Sequence, residues 1–296
     1  MKNNIPARTM LISSMTIFGT LGLFVRNIAV SSGELALYRA ILAAMIIGLV
    51  LLIKKQPISF QTIKKILPLL LISGFALGFN WILLFEAYRY TTVSAATLSY
   101  YFAPVLVTAV CPLLFREKIT AKQWFCLGMS TLGIVLITGV GNLQDGNNHL
   151  LGIAFGLGAA CLYATVVLIN KFIKDVEGLH RTLLQFLVAI LVLIPYVACT
   201  CGFSLEGLDL KGWICLLIVG FVHTGLAYCL YFPALKALPG QKAAILSYID
   251  PLIAVVISVL LLGEAMTPVQ WIGGAMILGF TLLNEISPPK NKIRNP

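Results

Sequence analysis

Apolar residues run along this chain in long blocks separated by short polar joints. Blocks of about the 20 residues needed to cross a bilayer as a helix fall at 10–30, 35–53, 66–88, 93–115, 124–140, 150–172, 183–203, 213–235, 243–262 and 268–286. The pattern predicts an all-α membrane protein with ten transmembrane helices, and the joints between them have the length of ordinary loops. Two of the blocks share a skeleton. In 92–117 and again in 239–264, alanines and small residues lead to a Ser and Tyr cluster, then to Pro104 or Pro251, then to an apolar run ending at Glu117 or Glu264. Laying 88–124 over 235–271 at one constant spacing also pairs Tyr101 with Tyr248, Thr120 with Thr267 and Trp124 with Trp271. A weaker echo joins FGTLGLFVRN at 18–27 to YATVVLINKF at 163–172. The chain therefore reads as one five-helix unit written twice: a first repeat at 1–141, a Gly- and Asn-rich linker at 142–148, a second repeat at 149–286 and a basic tail at 287–296. Five is odd, so the second copy enters the membrane upside down. Inverted repeats of this kind enclose a central cavity near mid-bilayer in secondary transporters.

Composition agrees with a membrane setting. The chain is 59% hydrophobic and 11% charged, against roughly 25% charged residues in soluble domains, and its mean hydropathy is +0.95. The net charge of +10 reports topology more than a nucleic-acid partner, because of where the charges fall. Of the 21 Lys and Arg residues, Arg26, Arg39, Arg89 and Lys211 fall on one side of the ten blocks and the other seventeen on the opposite side. The positive-inside rule then puts both termini in the cytoplasm, with the protein multi-pass in the cell inner membrane and its basic residues against anionic lipid. The first block follows a basic start but lacks a convincing small-x-small cleavage site, so it is read as retained. The seven cysteines lie mostly inside blocks, where they behave as small apolar residues.

These features carry a resemblance. The duplicated ten-block layout, FGTLGLFVR at 18–26, LALYRA at 35–40, GFNWILLFEAYRYTTVSAATLSYYFAPV at 78–105 and the paired glutamate endings resemble the drug/metabolite transporter superfamily, in its EamA-like branch. The resemblance implies a basket of ten helices. The first four of each half would line the cavity, and the fifth of each half would pack at the periphery, often in homodimer contacts. It also implies transport of amino acids or other small metabolites. Asp250 departs from the repeat, since the aligned first-half residue is Ala103.

Within block 243–262, Ala243, Ser247, Asp250, Ala254 and Ser258 recur at steps of three or four, which lays a small and polar stripe down one helical face. Lipid rejects such a face, so it lines a cavity or a helix contact. Pro251 removes a backbone donor and frees a carbonyl near Ser247 for a ligand or ion. Asp250 either exchanges a proton in alternation with a cationic or zwitterionic solute, neutralises the positive end of that solute, or is held by a neighbouring helix. Gly74 and Gly78 are spaced as a close-packing pair. Asn80 either hydrogen-bonds a solute or bridges two helices. Arg39 and Glu86 lie at similar depth from one side, and two lone charges there are costly. Their first reading is a salt bridge closing an outer gate, with direct solute contact or snorkelling as alternatives; Glu86 is also a candidate proton carrier. His223 lies beside the face formed by Gly220, Thr224, Tyr228 and Tyr231. It is either a proton shuttle or a packed, hydrogen-bonded histidine.

Phe18, Trp81, Tyr100, Tyr101, Tyr163, Tyr228 and Tyr248 form the candidate ring box, of which about half are expected to reach the cavity. A ring face over a desolvated cation contributes roughly 1 to 2 kcal/mol. Trp124, Trp213 and Trp271 near block ends read as interfacial belt residues. The substrate-binding set is thus Asn80, Trp81, Tyr100, Tyr101, Tyr163, Tyr228, Ser247, Tyr248 and Asp250, with Asp250, Glu86 and His223 as proton-coupling candidates. No HExxH pair, Cys/His quartet or Gly-rich phosphate loop occurs, so neither a metal nor a cofactor is expected. The reading is a secondary transporter for an amino acid, amine or organic cation, with membrane lipid, a small-molecule substrate, a coupling proton and a second copy of the chain as partners. A membrane-embedded enzyme acting on a lipid intermediate, or a passive channel, is the alternative.

Overall fold

A computed structural model describes residues 6–55, 60–115, 120–138, 147–173, 176–203, 205, 207–238, 243 and 246–286. Glu117, residues 142–146 of the linker and the tail at 287–296 lie outside the described residues. All regular structure among the described residues is helical. Helices α1 (Ala7–Gly19), α2 (Leu21–Val25), α3 (Ser32–Ile53), α4 (Phe60–Tyr90), α5 (Val93–Tyr100), α6 (Ala103–Phe115) and α7 (Ala121–Thr138) come first. They are followed by α8 (Asn147–Asn170), α9 (Gly178–Thr200), α10 (Leu210–Leu217), a π-helical stretch (Ile218–Leu226), α11 (Ala227–Ala237), α12 (Ile249–Leu260) and α13 (Pro268–Glu285). Each of the ten apolar blocks contains helix. Among the described residues, seven helical stretches are long and apolar enough to cross a bilayer, and Ala121–Ile137 and Ile249–Leu260 are shorter apolar helices.

The helices begin where side chains replace missing backbone partners. Ser31 accepts from the Glu34 N–H while the Glu34 carboxylate accepts from the Ser31 N–H, and Thr267 with Gln270 repeats this reciprocal cap on α13. Thr92 and Asp209 cap α5 and α10 in the simpler one-way manner. Such caps matter at a membrane surface because the helix that follows must satisfy its own backbone once in lipid.

Packing brings the two halves together throughout. Helix α4 packs on α8 and α9, α3 packs on α9 and on the π-helical stretch, and α1 packs on α11 and α12. Helices α5 and α6 pack on α8, α5 also meets α12, and α7 pairs with α13. At the α7–α13 crossing the backbones approach so closely that a Cβ on Gly133 would lie 2.7 Å from the Gly273 carbonyl oxygen, and one on Gly273 would lie 2.7 Å from that of Gly133. Gly74 and Gly78 let α4 close on Val188, Ala189 and Leu193 of α9. The main core gathers Leu37, Ile47, Phe85, Phe186 and Leu193, all buried. Trp124, Trp213 and Trp271 are exposed near helix ends, as belt residues are.

Candidate functional site

The two blocks that carry Pro104 and Pro251 both break, and both break at the aligned tyrosine. Helix α5 ends at Tyr100, Tyr101 and Phe102 form a turn, and α6 starts at Ala103; in the second half Tyr248 is the turn before α12. The cause is local. Pro104 and Pro251 have no N–H to give to the carbonyls of Tyr100 and Ser247, so the chain tightens there, and Phe102 bonds three residues back to Ser99. Helices α5 and α6 therefore meet at the first break, and α12 begins at the second. Gly19 of α1 lies against the second break, where a Cβ would meet the Asp250 carbonyl oxygen at 2.5 Å.

A cavity of about 680 Å³ opens between these breaks, within the range of sites for small molecules. Its wall includes Phe18, Trp81, Tyr100, Tyr101, Tyr163, Tyr228 and Tyr248, so all seven candidate rings reach it instead of half. Ser247, Asp250 and Ala254 line it from the stripe on block 243–262. Tyr101 donates its hydroxyl to Asp250 Oδ2 at 2.6 Å, across the two halves. Tyr88, Thr97, Thr108 and Tyr231 also line the wall; these the sequence reading missed. The lining continues through Met15, Val107, Leu235 and Ala243 toward the end of the bundle that holds the N-terminus.

Arg39 and Glu86 do not pair. Glu86 faces Arg89 one turn on, at 3.2 Å. Arg39 is 3% exposed, sits in the cavity wall, and donates Nε to Thr224 Oγ1 at 2.6 Å. Its guanidinium carbon lies 4.7 Å from the Trp81 ring centroid and 5.6 Å from that of Phe85. Equal depth was the wrong criterion, because the two side chains leave their helices in different directions. The π-helical stretch explains the Arg39 partner: Thr224 donates its hydroxyl five residues back to Val219 O at 2.9 Å, which turns its lone pair to Arg39. Widened turns of this kind concentrate at functional sites.

His223 is outside the cavity wall. Its Nε2 is 2.7 Å from Thr20 Oγ1, its Nδ1 is 3.3 Å from Ile218 O, and its ring packs 4.9 Å from Phe24. That is the packed, hydrogen-bonded arrangement. Asn80 is also outside the wall and bridges helices, donating Nδ2 to Ala159 O at 2.6 Å.

The ion pair that joins the halves is Arg26 with Glu264. It closes the end of the bundle opposite the N-terminus. Glu264 is also hydrogen-bonded to Ser258, whose hydroxyl meets that of Ser94, and it accepts the Val93 N–H at 2.9 Å. Arg26 donates Nη2 to Thr91 O at 2.9 Å. Four elements, α2, α5, α12 and the turn after α4, are thereby tied at one point. Arg26 and Glu264 each stood in a repeat motif, but nothing in the spacing showed that they meet.

A bundle of apolar helices, broken at Tyr101 and Tyr248 around a largely apolar, ring-lined cavity and joined across its halves by an ion pair, defines a multi-pass membrane protein of transporter type. The chain belongs to the EamA-like transporter family, which matches it twice, at residues 6–139 and 150–285. It is 30% identical over 269 residues to the uncharacterized transporter YxxF of Bacillus subtilis (strain 168), covering 90% of this chain and 85% of that one. It is 27% identical to an uncharacterized transporter of Archaeoglobus fulgidus, over 92% of this chain and 94% of that one. A solved crystal structure shares the fold, with a TM-score of 0.66 at 15% identity over 94% of this chain and 96% of the other. These relatives place the protein within the drug/metabolite transporter superfamily and among transporters.

Proposed function

We propose that the protein is a secondary transporter carrying a small amphipathic metabolite, of the amino acid, amine or organic cation class, across the cytoplasmic membrane by alternating access. The observation that carries this reading is the cavity itself. Its wall is rich in aromatic rings, has an acid at a helix break, and shares Tyr88 with a smaller cavity lined by Arg26, the partner of Glu264. Helix pairing supports two inverted halves, because its main pairings recur when each helix is exchanged for its counterpart in the other half. The α1 pairing with α11 becomes that of α8 with α4, and α3 with the π-helical stretch becomes α9 with α4. The two family matches, one per half, support the same reading.

With both termini cytoplasmic, as the charge distribution supports, the closure is on the outer side and the cavity faces inward. Rocking one half against the other about the breaks at Tyr101 and Tyr248 opens it outward. Asp250 serves as the coupling group. It holds a proton or the positive end of the solute, and Tyr101 keeps the carboxylate oriented between these states. The test is counterflow and pH-gradient-driven uptake in proteoliposomes of purified protein, screened over amines and amino acids. Accumulation that follows the pH gradient and is lost in Asp250→Asn supports the reading. Flux in Asp250→Asn that still follows the gradient removes the coupling role.

A further inference from the structure

A guanidinium keeps its charge when buried, and an intramembrane cation without a matching anion is costly enough to be read as functional. Arg39 meets that description in an unusual way. No carboxylate pairs with it among the described residues: Glu86 is taken by Arg89 and Asp250 by Tyr101. Thr224 satisfies Nε and the faces of Trp81 and Phe85 offset part of the charge, but Nη1 is buried with no hydrogen-bond partner. The residue is 97% buried by its 3% exposure and stands in the cavity wall. Such a donor is complementary to an anion supplied from outside the protein. A smaller cavity of about 370 Å³ is lined by Arg26 and Arg89, and Tyr88 lines both it and the main cavity.

We propose that Arg39 is the anchor for a carboxylate on the transported solute, and so a residue that determines specificity. The proposal rests on the reading of the cavity as the transport site and deepens it. A single guanidinium oriented by one hydroxyl suits a monoanion. Asp250 in the same wall suits an ammonium group on the same solute, and the rings suit an apolar body between them. The favoured substrate is therefore a zwitterion held at both ends, and a simple amine lacks half of what the wall offers.

The test is binding to purified protein in detergent by isothermal titration, with phenylalanine, 3-phenylpropionate, 3-phenylpropylamine and phenyl phosphate as probes. Wild type is expected to bind phenylalanine at least tenfold more tightly than 3-phenylpropylamine, which lacks the carboxylate. Arg39→Gln should weaken both carboxylates at least tenfold and leave the amine within twofold, and Arg39→Lys should recover part of the loss. Thr224→Val keeps the charge and removes its orienting acceptor, so it should weaken the carboxylates several-fold; it serves as well if Arg39→Gln does not fold. Wild-type preference for the amine, or carboxylate binding indifferent to both substitutions, overturns the anchor while leaving the cavity as a solute site. Phenyl phosphate as the tightest probe overturns the carboxylate assignment. Failure of every probe to bind overturns the anchor and the transport-site reading together.

Discussion

Removing one charge from the closure should change which end of the cavity is open. Glu264 is the centre of that closure, with its side chain 7% exposed, and it is held by Arg26, by the Val93 N–H and by Ser258. Glu264→Gln keeps the shape and one acceptor but leaves Arg26 without its anion. A hydrogen bond to a charged group contributes about 1.5 to 3 kcal/mol. Arg26 is 33% exposed, so water screens part of this and the lower half of that range is the better figure. About 1.5 to 2 kcal/mol corresponds to a roughly 10- to 30-fold shift toward the state open at this end, because the lost contacts exist in the closed state alone. The assay is double electron–electron resonance between spin labels at Ala29 and Leu261, both exposed at the closed end, in a cysteine-free background. Wild type should give one dominant short distance, and Glu264→Gln a second, longer population. Arg26→Ala should reproduce it. Identical distance distributions in all three proteins would refute the reasoning, since the pair would then stabilise both states equally.

Asp250→Asn should keep solute exchange under equal pH while abolishing accumulation driven by a pH gradient, read by isotope flux in proteoliposomes. Gly133→Ala forces a methyl group to within 2.7 Å of the Gly273 carbonyl, so it should destabilise the α7–α13 pair by about 1 to 3 kcal/mol and lower the melting temperature in detergent. Gly128→Ala, with open space around it, should not. At the N-terminal end, the Lys236 ammonium donates to Glu177 at 2.7 Å and holds its carboxyl below the ordinary glutamate value. Its contribution is present above about pH 4.3 and is lost as pH falls through the lowered value. Both groups are exposed, so Glu177→Gln should change stability at pH 7 by no more than about 0.5 kcal/mol.

Much of the scaffold could be read directly from the chain, because bilayer thickness and proline chemistry act locally. Apolar block length located the helices. The missing N–H of Pro104 and Pro251 located the breaks, and the step of three or four from Ala243 to Ala254 placed Ser247 and Asp250 on the cavity face. What failed were contacts between distant segments. Arg39 with Glu86 was inferred from depth alone, while the rotation of each side chain around its helix decided the partners. The π-helical stretch left no mark in composition, yet it sets where Thr224 and His223 point, five residues from the carbonyls they meet. Ser258, on the stripe expected to line a cavity or a helix contact, takes the helix contact and is held by Ser94 and Glu264. The rings exceeded expectation because both halves contribute them to a single space.

Alternating access requires that one cavity be reached from each side of the membrane in turn. Its most direct measurement places a cysteine at Ser247, in the cavity wall, in a cysteine-free protein reconstituted in one orientation. An impermeant maleimide is then added from one side or the other. Labelling is expected from both sides, faster from the N-terminal side in the otherwise native protein, with Glu264→Gln accelerating labelling from the opposite side. Labelling from one side alone, unchanged by Glu264→Gln, would contradict alternating access.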